Sequence, residues 1–117
     1  MNIEEFRVYC ISKKGVKEEF PFDLNTLVFK VMGKMFALSD ISNFNSINLK
    51  CDPDKAVELR EQYDYVRPGF HMNKKHWNTV DINWQLEDAL LKEWIDDSYD
   101  LVASQLTKKL KMELQDL

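Results

Sequence analysis

The sequence predicts an α+β fold, with one antiparallel sheet of five or six strands packed against N- and C-terminal helices. Three observations carry this. Short runs with apolar residues at every second position gather in the first half of the chain and recur after residue 65. Leu91, Trp94, Ile95, Ser98, Val102 and Leu106 lie three or four apart, the spacing of one helix face. Strand runs clustered together with helices at the ends favour an antiparallel sheet covered on one face over alternating β–α units.

Taken in order, Asn2 supplies a capping side chain, and Glu4 and Glu5 lie near the positive end of the helix dipole. Ile3, Phe6 and Cys10 form an apolar stripe, and Lys13-Lys14-Gly15 is a stop signal, so the first helix spans about 3–14. A strand follows in which Val16, Phe20 and Phe22 share a parity against Lys17, Glu19 and Pro21. Pro21 has no N–H to give a neighbour, which puts this strand at an edge or places Pro21 at its end. Leu27 to Met32 and Lys34 to Leu38 are the next two strands, with Gly33 marking a tight hairpin. Ile47 to Cys51 alternates cleanly as a fourth. Asp52-Pro53 opens a second helix running to about Tyr63, with Ala56, Leu59 and Tyr63 facing inward. Tyr65 to Phe70 and Trp77 to Ile82 read as neighbouring strands, joined by a turn or short helical turn over His71 to His76. The rest is helical, with Leu110, Leu114 and Leu117 continuing the spacing past a kink near Thr107. Phe6, Cys10, Phe29, Phe36, Leu49, Trp94, Ile95 and Val102 are the expected core. No repeat or linker interrupts the pattern, so residues 1–117 read as a single domain.

A chain of 117 residues, 44% hydrophobic and with only three glycines and three prolines, can bury one core without covalent staples. Cys10 and Cys51 form no CxxC pair and read as small buried hydrophobes rather than a disulfide. The N-terminus lacks the basic and apolar regions of a signal peptide, and no apolar run reaches the length of a membrane helix. The expectation is a soluble cytoplasmic protein. Net charge is −4, unlike a typical basic nucleic-acid module. The charge is uneven, however. Tyr65 to Asn78 carries Arg67, Lys74 and Lys75 with no acid, whereas Glu87, Asp88, Glu93, Asp96, Asp97 and Asp100 crowd the C-terminal helix around Lys92.

The segment Tyr65 to Val80 is the most informative. Pro68-Gly69 bends the strand and lets another backbone approach. Asn73 can cap a helical turn, Lys74 and Lys75 are donors without local partners, and Trp77 offers a flat face and one N–H. The run RPGFHMNKKHWNTV resembles the signature of the MmcQ/YjbR family of small bacterial proteins. LVFKVMGKMFAL (Leu27 to Leu38) resembles that family's central hairpin, and SYDLVASQLTKK (Ser98 to Lys109) its last helix, so the likeness covers nearly the whole chain. The resemblance implies a frataxin-like fold and a DNA-binding role through a double-wing arrangement.

Candidate residues for nucleic-acid or anion binding are therefore Lys30, Lys34, Arg67, His71, Asn73, Lys74, Lys75, His76 and Trp77. Cationic side chains supply most nonspecific nucleic-acid affinity, although an ordinary solvated face has the same composition. His71 and His76 match no usual zinc spacing, so neither metal nor cofactor is expected. No GxSxG-like nucleophile motif or phosphate-cradling glycine loop occurs, which argues against an enzyme. The acidic helix has the composition of a solvated face. The leading expectation is a non-enzymatic module binding DNA or another anionic ligand weakly through residues 67–78. The alternative is a protein-interaction or regulatory adaptor with no nucleic-acid role. A frataxin-like metal-handling protein comes third. An exposed apolar patch on this face would favour the adaptor, and a clustered basic surface the nucleic-acid module.

Overall fold

The structure, a computed structural model, describes residues 1–70, 72–83 and 85–117. Helix α1 (Ile3–Ile11) leads into strands β1 (Val16–Glu19), β2 (Thr26–Val31), β3 (Lys34–Asp40) and β4 (Ser46–Lys50). Helix α2 (Pro53–Gln62), strands β5 (Val66–Pro68) and β6 (Trp77–Asp81), and helices α3 (Asp88–Ser104) and α4 (Lys108–Gln115) follow. The six strands form one sheet in the order β1-β2-β3-β4-β6-β5, every pairing antiparallel.

Local chemistry explains the boundaries. The Asn2 side chain accepts from Glu5 N at 2.8 Å while Glu5 Oε1 accepts from Asn2 N at 3.2 Å, a reciprocal cap on α1. The helix ends at Ile11, short of Lys14: Lys13 N turns to Cys10 O at 3.3 Å, a tighter i→i−3 bond, and Gly15 takes φ +75°. Asp52 caps α2 through Lys55 N, with Pro53 in its first turn. Met32 and Gly33 both have positive φ, 47° and 85°, as a two-residue type I′ hairpin requires.

The first strand is shorter than its alternation predicts. It stops at Glu19, and Phe20 and Phe22 are exposed. Pro21 ends the ladder, and on an edge strand no second neighbour extends the pairing. At the other edge, β5 covers only Val66–Pro68, so Tyr65 and Phe70 flank the strand rather than belong to it.

All eight expected core residues are buried. They lie in the main cluster between the sheet and the helices, where Phe6 meets Phe29 edge-on at 5.3 Å. Ser98 Oγ donates to Phe36 O at 2.5 Å, tying α3 to β3. A β-bulge between β2 and β3 puts Phe36 and Ala37, consecutive residues, into the same core. A second, smaller cluster of Val28, Leu38 and Trp77, with Met35 and Met72 against it, covers part of the opposite face. The C-terminal helical stretch breaks rather than kinks, and Thr107 Oγ1 restarts it as α4 by accepting from Leu110 N.

Candidate binding face

Residues opposite one another in an antiparallel ladder share a sheet face. One such row runs Arg67, Thr79, Asn48, Leu38, Val28, Glu19 across the whole sheet. Val28 and Leu38 belong to the smaller cluster, so this row lies on the side away from the main core. The motif segment folds over this open face.

Gly69 makes that folding possible. Its N–H donates to Trp77 O at 2.8 Å, and a Cβ there would stand 2.8 Å from Trp77 Cβ and 2.9 Å from Trp77 O. Only a residue without a side chain permits this approach. Asn73 organises the turn: its Oδ1 accepts from Lys75 N at 2.9 Å and its carbonyl accepts from Trp77 N at 2.9 Å. Trp77 is buried against Val28 and Leu38 and anchors the loop rather than offering a stacking surface. His76 is half-buried, and its carbonyl accepts from Cys51 N at 2.8 Å. His71 lies outside the described residues.

The candidate cations divide into two groups. Arg67 makes a two-pronged pair with Asp81, Nε at 2.9 Å and Nη2 at 2.6 Å, and that carboxylate raises its pKa. Lys30 pairs with Glu19 at 2.8 Å. Both partners sit on adjacent strands, outside the segment in which no acid occurs. Lys34, Lys74 and Lys75 are exposed. Among the described residues none of the three forms an ion pair, and Lys74 Nζ donates to the neutral Gly69 carbonyl at 3.1 Å.

Beside the loop, a cleft of about 510 Å³ opens between the sheet and two chain segments, with Phe22, Phe70, Met72, Leu38, Asn48 and Asp40 in its walls. Phe22 and Phe70 are 63% and 62% exposed, unusual for large apolar side chains sharing one cleft. Thr79, buried behind the cleft, holds two of its wall residues in place. Phe70 N donates to Thr79 Oγ1 at 2.9 Å, and Thr79 Oγ1 donates to Asn48 Oδ1 at 2.5 Å. The charges here are acidic. Asp23, also in the wall, accepts from the backbone N–H groups of Asn25 and Thr26, which hold its carboxyl below the usual range. The Ser42 hydroxyl and backbone do the same for Asp40. Sequence reasoning missed Phe22, Phe70, Asn48, Thr79 and Asp81 as members of this face. Strand parity places Thr79 beside Trp77, but the remaining neighbours depend on register.

Neither cysteine is poised for chemistry. Burial pushes the Cys10 thiol far above its ordinary range and the Cys51 thiol up to about 11. Among the described residues no group of three His, Cys, Asp or Glu side chains could hold a metal, and no helix is long and apolar enough to cross a membrane.

Comparisons with known proteins bear on the family and the fold. The YjbR family model matches residues 11–101, from the end of α1 into α3. The uncharacterized protein YjbR of Escherichia coli K12 is 32% identical over 118 residues, covering 100% of both chains. The uncharacterized protein YbdF of Escherichia coli O157:H7 is 42% identical over 91 residues, 77% of this chain and 75% of that one. The crystal structure of Deinococcus radiodurans protein DR2400, with domain DUF419, superposes with a TM-score of 0.90 at 39% identity, over 97% of this chain and 88% of that one. The matched span takes in the whole sheet and the Arg67 to Val80 motif, and the chain belongs to the YjbR family.

Proposed function

We propose that this chain is a non-enzymatic binding module whose open sheet face takes an extended segment of a protein partner, apolar with flanking basic residues. The observation that carries this reading is the cleft itself: two exposed phenylalanines, Phe22 and Phe70, share it with the ionised carboxylates of Asp23 and Asp40. Exposed aromatics favour an apolar anchor from the partner, and fixed negative charge favours Lys or Arg beside that anchor. The same carboxylates oppose a phosphate backbone in this cleft.

A second reading, weak DNA or RNA binding, is favoured by Lys74 and Lys75, exposed and without an ion pair among the described residues; Lys34, opposite Val31 of the main core, lies on the other side of the sheet. It is the role the family implies, together with its frataxin-like fold. With Arg67 and Lys30 already paired, fewer cations remain for phosphates than the sequence suggests. A metal-handling role has no cluster of ligands among the described residues to support it.

The test is selection from a displayed peptide library, repeated on the Phe22→Ser and Phe70→Ser variants. The expected result is enrichment of peptides with one large apolar residue beside Lys or Arg, with affinity falling at least tenfold in either variant. Enrichment of acidic peptides, or affinity indifferent to both substitutions, would sink the reading. A salt-dependent gel shift abolished by Lys74→Ala with Lys75→Ala would transfer support to nucleic acid.

A further inference from the structure

The two edges of the sheet are not alike. On β5, Gly69 N donates to Trp77 O and Asp81 N donates to Tyr65 O, each directly across the ladder. Such bonds fall on alternate residues, so Arg67 turns its backbone to β6 while Val66 and Pro68 turn theirs outward. That edge is closed. Val66 N already donates to Tyr63 O at 3.1 Å, and Pro68 has no N–H to offer. On β1, Met32 N donates to Gly15 O at 3.1 Å, again directly across the ladder. Lys17 and Glu19 therefore face β2, and Val16 and Glu18 present their N–H and C=O groups outward. Among the described residues neither N–H has an acceptor. A row of unpaired backbone groups is a template for another strand.

The sequence of β1 is complementary to itself. An antiparallel copy placed about a two-fold axis through Glu18 sets Lys17 against the partner's Glu19 and Val16 against the partner's Phe20. Symmetry repeats both pairs on the other side of the axis. Lys17 and Glu19 are exposed, so each charge gains an opposite neighbour. Phe20, 46% exposed, gains an apolar one in half-buried Val16. Two glutamates meet at the centre, but each is already matched within its own chain. Arg7 Nε and Nη2 donate to the Glu18 carboxylate at 2.6 and 2.5 Å, and this bond holds its pKa below the usual range. Moving the axis to Lys17 would set lysine against lysine, a destabilising contact. Charges on an edge strand ordinarily discourage pairing. Here they disfavour the shifted register and favour the one centred on Glu18.

We infer that β1 is an interface between two copies of this chain, paired antiparallel across Glu18 so that the two six-stranded sheets become one. Val16 to Glu19 form no part of the cleft walled by Phe22 and Phe70, so the dimer leaves that cleft open and stands or falls apart from the peptide reading. One short strand per copy makes a small contact, which places the dimer in the weak, reversible class.

Sedimentation equilibrium from low micromolar to millimolar protein tests the interface, together with amide exchange at both extremes. The unaltered chain is expected to move toward twice its mass as concentration rises, with slower exchange at Val16 and Glu18. Lys17→Glu and Glu19→Lys each set like charges opposite one another at two places and should weaken association about tenfold. An equal mixture of the two variants should regain it, because every acid then faces a base. Both substitutions fall on exposed side chains, so the fold survives them. Phe70→Ser, in the cleft, should associate as the unaltered chain does. A monomer at every concentration, single variants that associate unchanged, or a mixture no stronger than either variant would each overturn the inference. Loss of the dimer in Phe70→Ser would move it to the open face, and protection of Val16 and Glu18 by an added peptide alone would give the edge to a foreign strand; either result also overturns it.

Discussion

At Gly69 the backbone of Trp77 occupies the space a side chain would need, with two atoms nearer than 3 Å to any Cβ built there. Neither atom is the far end of a flexible chain, so the loop and β6 would have to separate. Gly69→Ala should therefore destabilise the fold by about 1–3 kcal/mol, the usual cost of overpacking. Urea unfolding would measure it, and an unchanged midpoint would show that the loop yields easily. Thr79 is a second such point. It is 1% exposed, and its hydroxyl both accepts from Phe70 N and donates to Asn48 Oδ1. Thr79→Val keeps the shape and removes both bonds, leaving an N–H and an amide oxygen to find other partners. A loss of about 1–3 kcal/mol is expected, with the largest amide shifts at Phe70. Near-neutral stability would mean that water satisfies both groups. The special role of Gly69 was legible in the sequence, because Pro-Gly inside a strand pattern has few other uses. The role of Thr79 was not, since it requires knowing that Asn48 lies directly across from it.

At the scale of elements, α1 docks on α3 through Tyr9, whose hydroxyl donates to Asp96 Oδ1 at 2.6 Å, and Lys13 reaches the same carboxylate. The bond to Asp96 raises the Tyr9 pKa from 10.0 to about 12. The folded state thus keeps the tyrosine proton more tightly than the unfolded chain does. The stabilisation is complete below pH 10 and is lost as pH rises through about 12. Urea midpoints taken from pH 9 upward should fall across that window, and Tyr9→Phe should flatten the fall while lowering stability at neutral pH. A Tyr9→Phe profile as steep as that of the unaltered chain would assign the loss to other groups. Elements with local punctuation were legible: Asn2 and Asp52 each cap a helix where the sequence context indicates, whereas the kink expected near Thr107 is a break at which Thr107 caps a new helix. The strand ends were less so. Phe20 and Phe22 continue the alternation of β1, but alternation records which side chains would share a face, not whether a neighbour is there to bond the backbone. The bulge at Phe36 and the pairs Arg67–Asp81 and Lys30–Glu19 follow from register, which linear spacing does not encode.

For the molecule as a whole, charge decides which partner the open face can hold. The chain carries a net −4, the cleft holds two carboxylates kept ionised by their hydrogen bonds, and two of the five basic candidates are already paired. Lys74 and Lys75 are what remains on this face for phosphates, because Lys34 lies opposite Val31 in the ladder and so on the side of the main core. Neutralising two phosphates gives a salt slope of about −1.8, hence a loss of roughly 12-fold in duplex affinity between 50 and 200 mM salt. Lys74→Ala with Lys75→Ala removes both contacts, and the same salt change should then leave what binding remains nearly unchanged. Stability should stay within about 0.5 kcal/mol, because exposed cations contribute little to folding. A peptide anchored between Phe22 and Phe70 behaves otherwise. Most of its affinity comes from apolar burial, which moderate salt leaves in place, so the same salt increase should change its binding only a few-fold. The two slopes, measured on one preparation by fluorescence anisotropy with a labelled duplex and a selected peptide, separate the readings. A duplex slope much steeper than about −1.8 would show that Arg67 and Lys30 leave their carboxylates to meet phosphate, and would return the basic segment to the centre of the function.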